Sequence, residues 1–220
     1  MTKKLSIIDK DIDTILVLDF GSQYTQLIAR RIRELGVYSE ILPWDISSER
    51  LKCIKPKGVI LSGGPESVTK TNTPRISNEI FALSVPILGI CYGMQTLAEQ
   101  NDGKVTTSSK KEFGYANFTI EHGSPLFDGI NATNIEVWMS HGDKVSSLPN
   151  NFKLTGSTKS AQIASMEHID LPYYALQFHP EVSHTKFGKE ILDNFVSLIC
   201  KCKKDWNIGD LIKQRVHEIK

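Results

Sequence analysis

The sequence predicts an α/β fold with an open, mostly parallel central sheet, helices on both of its faces and a small antiparallel extension. Short runs of apolar, β-branched residues alternate with segments of helical spacing, which is typical of parallel strands buried on both faces. Residues 104 to about 166 instead contain shorter β-like pieces with many turn residues, which favours antiparallel pairing there.

The predicted strands cover residues 14–19, 37–42, 58–61, 85–90 and 173–178. Residues 14–19 form a continuous apolar run, which is typical of a strand buried on both faces of a parallel sheet. Residues 85–90 are likewise predicted to form a buried strand.

The first two helices are predicted from spacing and capping residues. Apolar positions between Leu27 and Leu35 repeat at helical intervals, and Gly36 marks the helix C-terminus. Thr73-Pro74 places a capping hydroxyl before a proline at the first helical position, which predicts a helix from Thr73 to about Ser84.

Two further helices are expected in the second half of the chain. One begins just after Cys91 and ends near Gly103, and the other spans residues 186–201. The latter places five apolar residues on one face: Ile191, Leu192, Phe195, Leu198 and Ile199.

Composition excludes several classes of protein. The 220 residues include 26 Lys+Arg and 25 Asp+Glu, a near-balance that argues against nucleic-acid binding. The charged N-terminus does not resemble a signal peptide, and no apolar run approaches the roughly 18 residues that a membrane span needs. Four cysteines are too few for a disulfide scaffold of this size, so we expect reduced thiols in a cytoplasmic protein.

Residues 89–93, Gly-Ile-Cys-Tyr-Gly, follow a predicted buried strand and have the spacing of a nucleophile elbow with cysteine in place of serine. In such an elbow the nucleophile lies on a strained strand-to-helix turn, where side chains two residues to either side would collide. The following helix directs its N-terminal partial positive charge at the sulfur. The alternative is that Cys91 is a buried structural thiol.

A base for this nucleophile is predicted in Gln-Phe-His-Pro-Glu, residues 177–181, at the end of an apolar strand. His179 and Glu181 are two residues apart, so on an extended backbone they project from the same side. A carboxylate beside imidazole orients the ring and stabilises its protonated form. The alternative is a hydrogen-bonded structural histidine.

The loop after the third strand, Ser-Gly-Gly-Pro-Glu-Ser at residues 62–67, can expose backbone N–H groups to a ligand. An N–H of Gly63 or Gly64, with that of Tyr92, could receive the oxyanion that forms when Cys91 attacks an amide. The loop is also similar to the phosphate loop of ATP pyrophosphatases. Pro65 removes one donor and Glu66 stands where that loop has aspartate, so we do not expect phosphate binding here.

Together these motifs resemble the class I (triad-type) glutamine amidotransferases, which have a flavodoxin-like fold, and among them the amidotransferase domain of GMP synthetases. The stretch Trp-Met-Ser-His-Gly-Asp-Lys-Val at residues 138–145 is more specific than the triad, and the resemblance covers essentially the whole chain. The other matching segments are residues 19–25, 33–38, 62–68, 89–95, 112–115 and 177–185.

The resemblance implies a role for each matching residue. Cys91 is the nucleophile, His179 the general base and acid, and Glu181 its orienting carboxylate. The oxyanion hole is formed by Gly63 or Gly64 with Tyr92. The implied glutamine-binding residues are Gln95, Ser140, His141, Gly142 and Asp143. The implied reaction converts glutamine to glutamate and ammonia through a γ-glutamyl thioester.

The resemblance also implies a partner. In the family, ammonia passes to a synthetase (ATP pyrophosphatase) domain that aminates adenylated XMP to GMP. That domain has no counterpart in these residues, so we expect a fragment or the small subunit of a split enzyme. We expect no cofactor in this chain, with ATP and magnesium bound by the absent domain, and no metal at Cys200 and Cys202.

The expected division is an amidotransferase domain over residues 1–204 and an amphipathic helix over residues 205–220, a linker or the start of the synthetase domain. The helix either folds back on its own domain or docks on a partner. Its apolar stripe comprises Ile208, Leu211, Ile212, Val216 and Ile219.

Three other functions stay open on the sequence. The chain could be the amidotransferase subunit of another glutamine-dependent synthetase, a stand-alone cysteine hydrolase of the same fold, or a catalytically silent binding module. The Ser-His-Gly-Asp segment argues against a peptidase, and the intact triad argues against a silent module.

Overall fold

The computed structural model describes residues 12–121, 123–207 and 209, with the backbone alone at residues 109 and 110. The strands of this part of the chain are β1 (Thr14–Asp19), β2 (Tyr38–Pro43), β3 (Gly58–Leu61), β4 (Ile87–Ile90), β5 (Lys104–Ile120), β6 (Asn134–Ser147), β7 (Phe152–Thr158), β8 (Ser165–His168) and β9 (Tyr173–Leu176). The α-helices described are α1 (Thr25–Glu34), α2 (Ser48–Ile54), α3 (Asn78–Ala82), α4 (Tyr92–Glu99) and α5 (Gly188–Asp193).

All of these strands belong to one sheet, with the order β2-β1-β3-β4-β9-β8-β7-β5-β6. The first five strands in this order pair in parallel. The remaining pairings are antiparallel. The predicted fold class is therefore confirmed, as are the predicted bounds of β1 and β3.

The core lies on both faces of the central parallel strands, as the apolar run of residues 14–19 predicts. In β1, Ile15 and Val17 pack on one face while Leu16 and Leu18 pack on the other. Helices α1 and α5 cover the first face, and α2, α3 and α4 cover the second. This two-sided burial positions the carboxyl ends of the strands at one edge, where ligands bind in open α/β sheets.

The antiparallel extension is larger than predicted. The expected short pieces are mostly two long strands, β5 with 17 residues and β6 with 14. A register shift between Thr107 and Glu112 accommodates the polar Ser-Ser-Lys-Lys stretch without ending β5. Turn-type residues there favour a strand end locally, whereas cross-strand pairing with β6 continues beyond them.

The predicted helix start at Thr73 is wrong, because α3 begins at Asn78. The intervening backbone is bound by another side chain: the amide of Gln100 accepts from the Ile76 N–H and donates to the Ile76 carbonyl, both at 2.9 Å. These bonds to a residue of the α4 C-terminus satisfy the backbone of Ile76 without helix formation.

The predicted helix over residues 186–201 is α5 followed by a π-helical segment, Asn194–Ile199. The Cys200 N–H donates to the Phe195 carbonyl at 2.8 Å, an i to i−5 bond. The wider turn changes the face that each side chain presents. Val196 is consequently buried while Leu198 is 46 % exposed, so the prediction that Leu198 lies on the buried face is wrong.

The other helix ends shift modestly. Helix α4 ends at Glu99 rather than near Gly103, and α1 covers residues 25–34. Among the helices of the described residues, none is both long and apolar enough to cross a bilayer.

The apolar residues of the predicted C-terminal stripe lie outside the described residues: Ile208, Leu211, Ile212, Val216 and Ile219. Trp206, just before it, packs on the domain: its N–H donates to the Gly36 carbonyl at 3.0 Å, and its ring lies 6.2 Å from that of Tyr38.

Candidate active site

Cys91 lies between β4 and α4 with φ +53° and ψ −105°, a strained conformation for a non-glycine residue. The flanking glycines are required by close backbone approach. A Cβ on Gly89 would lie 2.7 Å from the carbonyl of Gly93, and one on Gly93 would collide with the Leu61 backbone. The Gly-x-Cys-x-Gly spacing thus forms the predicted elbow for the predicted reason.

His179 and Glu181 follow β9 and form a buried pair. Nδ1 of His179 donates to Oε1 of Glu181 at 2.7 Å, and the two residues are 3 % and 1 % exposed. Burial alone would lower the pKa of His179. The negative charge of Glu181 and a hydrogen-bonding interaction with the Cys91 side chain outweigh it and raise the pKa well above the usual value. The imidazolium that forms when His179 takes up the proton of the Cys91 thiol is therefore stabilised.

The Cys91 sulfur has two further polar neighbours. It lies 3.5 Å from the Ser140 carbonyl and 3.7 Å from Nε2 of Gln177. Gln177 is fully buried, and its Oε1 lies 3.4 Å from Nε2 of Gln95. No role for Gln177 was predicted from the sequence, although its position two residues before His179 on an extended segment indicates the same side of the chain.

Cys91 and His179 border a cleft of about 630 Å³ at the carboxyl edge of the parallel strands. Of the predicted site residues, three lie behind its walls rather than lining it: Gly63, Tyr92 and Glu181. The predicted residues that line the cleft are Gly64, Cys91, Gln95, Ser140, His141, Gly142, Asp143 and His179.

The Ser-His-Gly-Asp segment lies on β6. His141 and Asp143 are buried, and Nε2 of His141 lies 3.2 Å from Oε2 of Glu112 on β5 without hydrogen-bond alignment. Burial lowers the pKa of His141, and the charge of Glu112 only partly opposes this, so the ring is neutral near pH 7. Within the described part of the chain, both ring nitrogens of His141 and Oδ2 of Asp143 have no hydrogen-bond partner.

Gln95 lies one turn into α4 and connects this helix to β6. Its Nε2 donates to the Asp143 backbone carbonyl at 2.8 Å. The helix that begins at the nucleophile is therefore bonded directly to the strand that carries the predicted binding segment.

The glycine loop packs tightly on the chain that follows β1. The Ser62 hydroxyl accepts from the Phe20 N–H at 3.0 Å, and a Cβ on Gly64 would lie 2.6 Å from the Phe20 carbonyl. Gly63 faces the histidine, because a Cβ added to it would lie 3.3 Å from Cε1 of His179. Glycine is needed at Gly64 for this close approach, whatever ligand the loop contacts.

Three residues near the histidine have no role predicted from the sequence, although Tyr24 and Thr185 lie in the matching segments 19–25 and 177–185. Tyr24 packs edge-on against His179 with ring centres 5.1 Å apart, and Nε of Arg31 donates to the Glu181 carbonyl at 3.0 Å. The Thr185 hydroxyl donates to the His179 carbonyl at 2.6 Å. The helix α1 and the loop after Glu181 thus both contact the pair.

Cys200 and Cys202 lie away from this cleft and are buried. Burial raises the pKa of both thiols, that of Cys202 to about 12, so both are protonated at neutral pH. Both cysteines lie after the π-helical segment, which ends at Ile199 with Cys200 as its C-cap. Among the residues described, no group of three metal-ligating side chains is found.

Comparisons with known proteins show the family to which the chain is similar. The family model of class I glutamine amidotransferases matches residues 16–198. The GMP synthase [glutamine-hydrolyzing] of Ruthia magnifica is 51 % identical over 212 residues, covering 95 % of this chain and 41 % of that protein. The corresponding protein of Vesicomyosocius okutanii is 54 % identical over 212 residues, with the same coverage. The chain thus spans about two fifths of the length of these curated relatives.

Two solved structures are also similar. A protein from Thermoplasma acidophilum, provisionally described as a GMP synthase subunit, has a TM-score of 0.75 and 34 % identity over 86 % of this chain and 94 % of its own. A glutamine amidotransferase from Thermotoga maritima has a TM-score of 0.68, with 86 % of this chain and 98 % of its own covered. At 16 % identity it supports the fold alone.

Proposed function

The chain belongs to the class I glutamine amidotransferase family, and on that premise we propose that it hydrolyses L-glutamine to glutamate and ammonia in the Cys91 cleft. The observation that supports this most directly is the convergence of Cys91, on its strained elbow, with the buried His179–Glu181 pair. A nucleophile, a base and an orienting carboxylate in this order are the parts that acyl transfer requires.

In the proposed reaction, the Cys91 sulfur bonds to the side-chain amide carbon of glutamine while its proton passes to His179. The C–N bond then breaks, and His179 returns that proton to the departing ammonia. Water attacks the γ-glutamyl thioester with His179 as base, and glutamate leaves as the thiol recovers its proton. Glu181 stabilises the imidazolium in both halves, in line with the raised pKa of His179.

Two backbone N–H groups are proposed for the oxyanion of the tetrahedral intermediate. One is that of Tyr92, which lies in the first turn of α4, where N–H groups have no acceptor within the helix. The other belongs to Gly64, which lines the cleft, or to Gly63, which packs against the His179 ring. Such donors stabilise charge that develops only during the reaction.

The amino-acid head of glutamine is assigned to Gln95, Ser140, His141, Gly142 and Asp143. Buried polar groups normally have hydrogen-bond partners, so the unpartnered Oδ2 of Asp143 supports a ligand at this position. A carboxylate oxygen accepts from the α-ammonium group of an amino acid. The neutral His141 beside it supplies one donor and one acceptor to the same ligand.

For the ammonia we propose delivery to an ATP pyrophosphatase (synthetase) domain or subunit that aminates XMP to GMP. The names of the curated relatives, and the share of their length that this chain spans, support this fate. ATP and magnesium are assigned to that partner, and none of the proposed steps of glutamine hydrolysis needs a cofactor. The four free cysteines support a reducing compartment such as the cytoplasm.

The test is a steady-state glutaminase assay on the 220-residue chain, with and without the synthetase domain of a relative, ATP, magnesium and XMP. We expect slow release of glutamate by the chain alone and faster release with the loaded partner, because hydrolysis without an acceptor loses ammonia. A Cys91→Ala chain identifies the background rate, and peptide substrates serve as controls. Peptide cleavage without glutaminase activity would contradict the proposal, and full turnover unaffected by the partner would contradict the coupling.

A further inference from the structure

We infer that Thr185 is a positioning residue for this reaction: its hydroxyl, bonded to the open edge of β6, holds His179 in register with Cys91. The inference rests on the proposed function, since it assigns a task in the same hydrolysis. It concerns the backbone of the base rather than any group that contacts glutamine.

Strand β6 is the last strand of the sheet and pairs with β5 on one side only. In an antiparallel strand, alternate residues direct their backbone groups to opposite edges. On β6, the residues that direct them to the open edge are Glu136, Trp138 and Ser140. The open edge of an end strand otherwise presents unpaired donors and acceptors.

The catalytic residues occupy this open edge. The His179 N–H donates to the Trp138 carbonyl at 3.1 Å, and the Cys91 sulfur lies 3.5 Å from the Ser140 carbonyl. Trp138 and Ser140 are separated by two residues of strand, a rise of about 6.8 Å. One short stretch of β6 therefore sets the separation of the base from the nucleophile.

Thr185 bonds the loop after β9 that carries His179, here called the histidine loop, to this edge. Its hydroxyl accepts from the Trp138 N–H at 3.0 Å and donates to the His179 carbonyl at 2.6 Å. Together with the bond from the His179 N–H to the Trp138 carbonyl, this gives a closed ring of three hydrogen bonds. Thr185 is buried, so water does not readily replace the hydroxyl.

A misplaced imidazole is costly even when the fold survives. Proton transfer by a positioned side chain contributes about 100- to 10,000-fold to a rate, and displacement by 1 Å can remove about 100-fold. Without the Thr185 hydroxyl, the Trp138 N–H and the His179 carbonyl lose their partner and the loop is held at one point fewer. We therefore expect loss of kcat with little change in KM.

The test compares four variants. Thr185→Val removes the hydroxyl and keeps the branched shape, Thr185→Ala removes both the hydroxyl and the methyl group, and Thr185→Ser keeps the hydroxyl. Thr155→Val is the matched control, because Thr155 is also buried and its hydroxyl bonds Ser165 at 2.6 Å on strands β7 and β8. Glutaminase kcat and KM are measured with melting temperature, together with the rate at which iodoacetamide alkylates Cys91, read by mass spectrometry.

We expect Thr185→Val to lower kcat at least about tenfold with KM within about twofold, and to slow alkylation severalfold. The kcat and alkylation rate of Thr185→Ser are expected within about threefold of those of the unmodified chain. Thr155→Val is expected to keep the kcat and alkylation rate of the unmodified chain. Unchanged kcat and alkylation in Thr185→Val would overturn the inference while leaving the hydrolysis intact. So would a folding failure of Thr185→Val and Thr185→Ala with Thr185→Ser folded, because Thr185 would then be structural only.

A chain without Cys91-dependent glutaminase activity would overturn the proposed function instead. The alkylation rates do not depend on glutamine, so they decide separately whether the Thr185 hydroxyl acts on the Cys91–His179 pair.

Discussion

The two halves of the sheet contribute to the cleft in different ways. The parallel half consists of β2, β1, β3, β4 and β9, and the antiparallel half consists of β8, β7, β5 and β6. The parallel half presents Cys91 through a turn whose sequence motif spans five residues, in which Gly89 approaches Gly93 and Gly93 approaches the Leu61 backbone of the neighbouring strand β3. The antiparallel half contributes backbone groups at the open edge of β6, bonded to residues 41 to 50 positions away in sequence. The motif that makes the nucleophile turn is therefore local in sequence, whereas its surroundings depend on strand placement.

This difference predicts how the two halves respond to substitution. Changes at the elbow are expected to act through the shape of one turn. Changes at the β6 edge are expected to act through the position of groups that stay chemically intact. Substitutions in both halves test this, and the largest effect is expected at the nucleophile itself.

Cys91→Ala removes the nucleophile of the parallel half and little volume, so we expect at least about a 1,000-fold loss of glutaminase activity with the fold retained. The measurements are glutamate release and melting temperature, with the exposed Cys53→Ala as matched control. An electrophilic glutamine analogue such as acivicin should modify Cys91 before the other three cysteines. Activity of Cys91→Ala within a few-fold of the unmodified chain would exclude Cys91 from the reaction.

His179→Ala and Glu181→Gln separate the base from its support. Loss of His179 removes the proton carrier, whereas Glu181→Gln keeps the shape and removes the charge that raises the pKa of His179. We expect Glu181→Gln to retain at least about tenfold more activity than His179→Ala, as with orienting carboxylates in other triads. Equal kcat losses in the two variants would mean that Glu181 does more than orient the ring.

Gly93→Ala tests whether the elbow depends on close packing against the backbone of β3. Its Cβ would collide with the Leu61 backbone, so we expect about 1–3 kcal/mol of destabilisation and at least about a tenfold fall in kcat. Gly123→Ala is the matched control, because a Cβ there meets nothing within 4 Å. If Gly93→Ala unfolded at the same urea concentration as the control and kept its kcat, the steric account of the elbow would be wrong.

The two buried histidines should give opposite dependences of stability on pH. The pKa of His179 is raised in the folded state. The contribution of His179 to the free energy of unfolding is therefore complete below about pH 6.5 and is lost as pH rises through the folded pKa. The pKa of His141 is lowered, so the contribution of His141 to the free energy of unfolding is complete above about pH 6.5 and is lost as pH falls through the folded pKa.

Urea unfolding across pH measures both contributions. We expect His179→Gln to remove part of the decline in unfolding free energy at alkaline pH, and His141→Gln to remove part of the decline at acid pH. If the unfolding free energies of the two variants changed with pH in the same way, the opposite pKa shifts would be contradicted.

Much of the parallel half can be predicted from sequence because its signals are local. A run such as Thr14–Asp19 is apolar almost throughout because both of its faces are buried, and the elbow is visible as two glycines around Cys91. The predicted first and last residues of β1 and of β3 agree with the structure. The roles of Cys91, His179 and Glu181 remain predictions that the substitutions above address.

Predictions fail where a distant group competes for the backbone. The capping signal at Thr73-Pro74 is genuine as a local preference, yet Gln100 binds the Ile76 backbone and the helix begins only at Asn78. The apolar spacing that assigned Leu198 to the core assumes 3.6 residues per turn, and the π-helical segment does not keep it. Neither the Gln100 amide nor the wider turn is visible in the local pattern.

From the order of its residues alone, this protein specifies an α/β sheet, the strained turn at Cys91 and a His-Pro-Glu segment at a strand end, because short-range sterics and hydrophobic burial dictate each of them. Only the tertiary structure places His179 and Cys91 along one edge of β6 and Thr185 between that edge and the histidine loop. The physical reason is that a hydrogen bond depends on distance and direction to within a few tenths of an ångström. Those quantities come from the packing of strands distant in sequence.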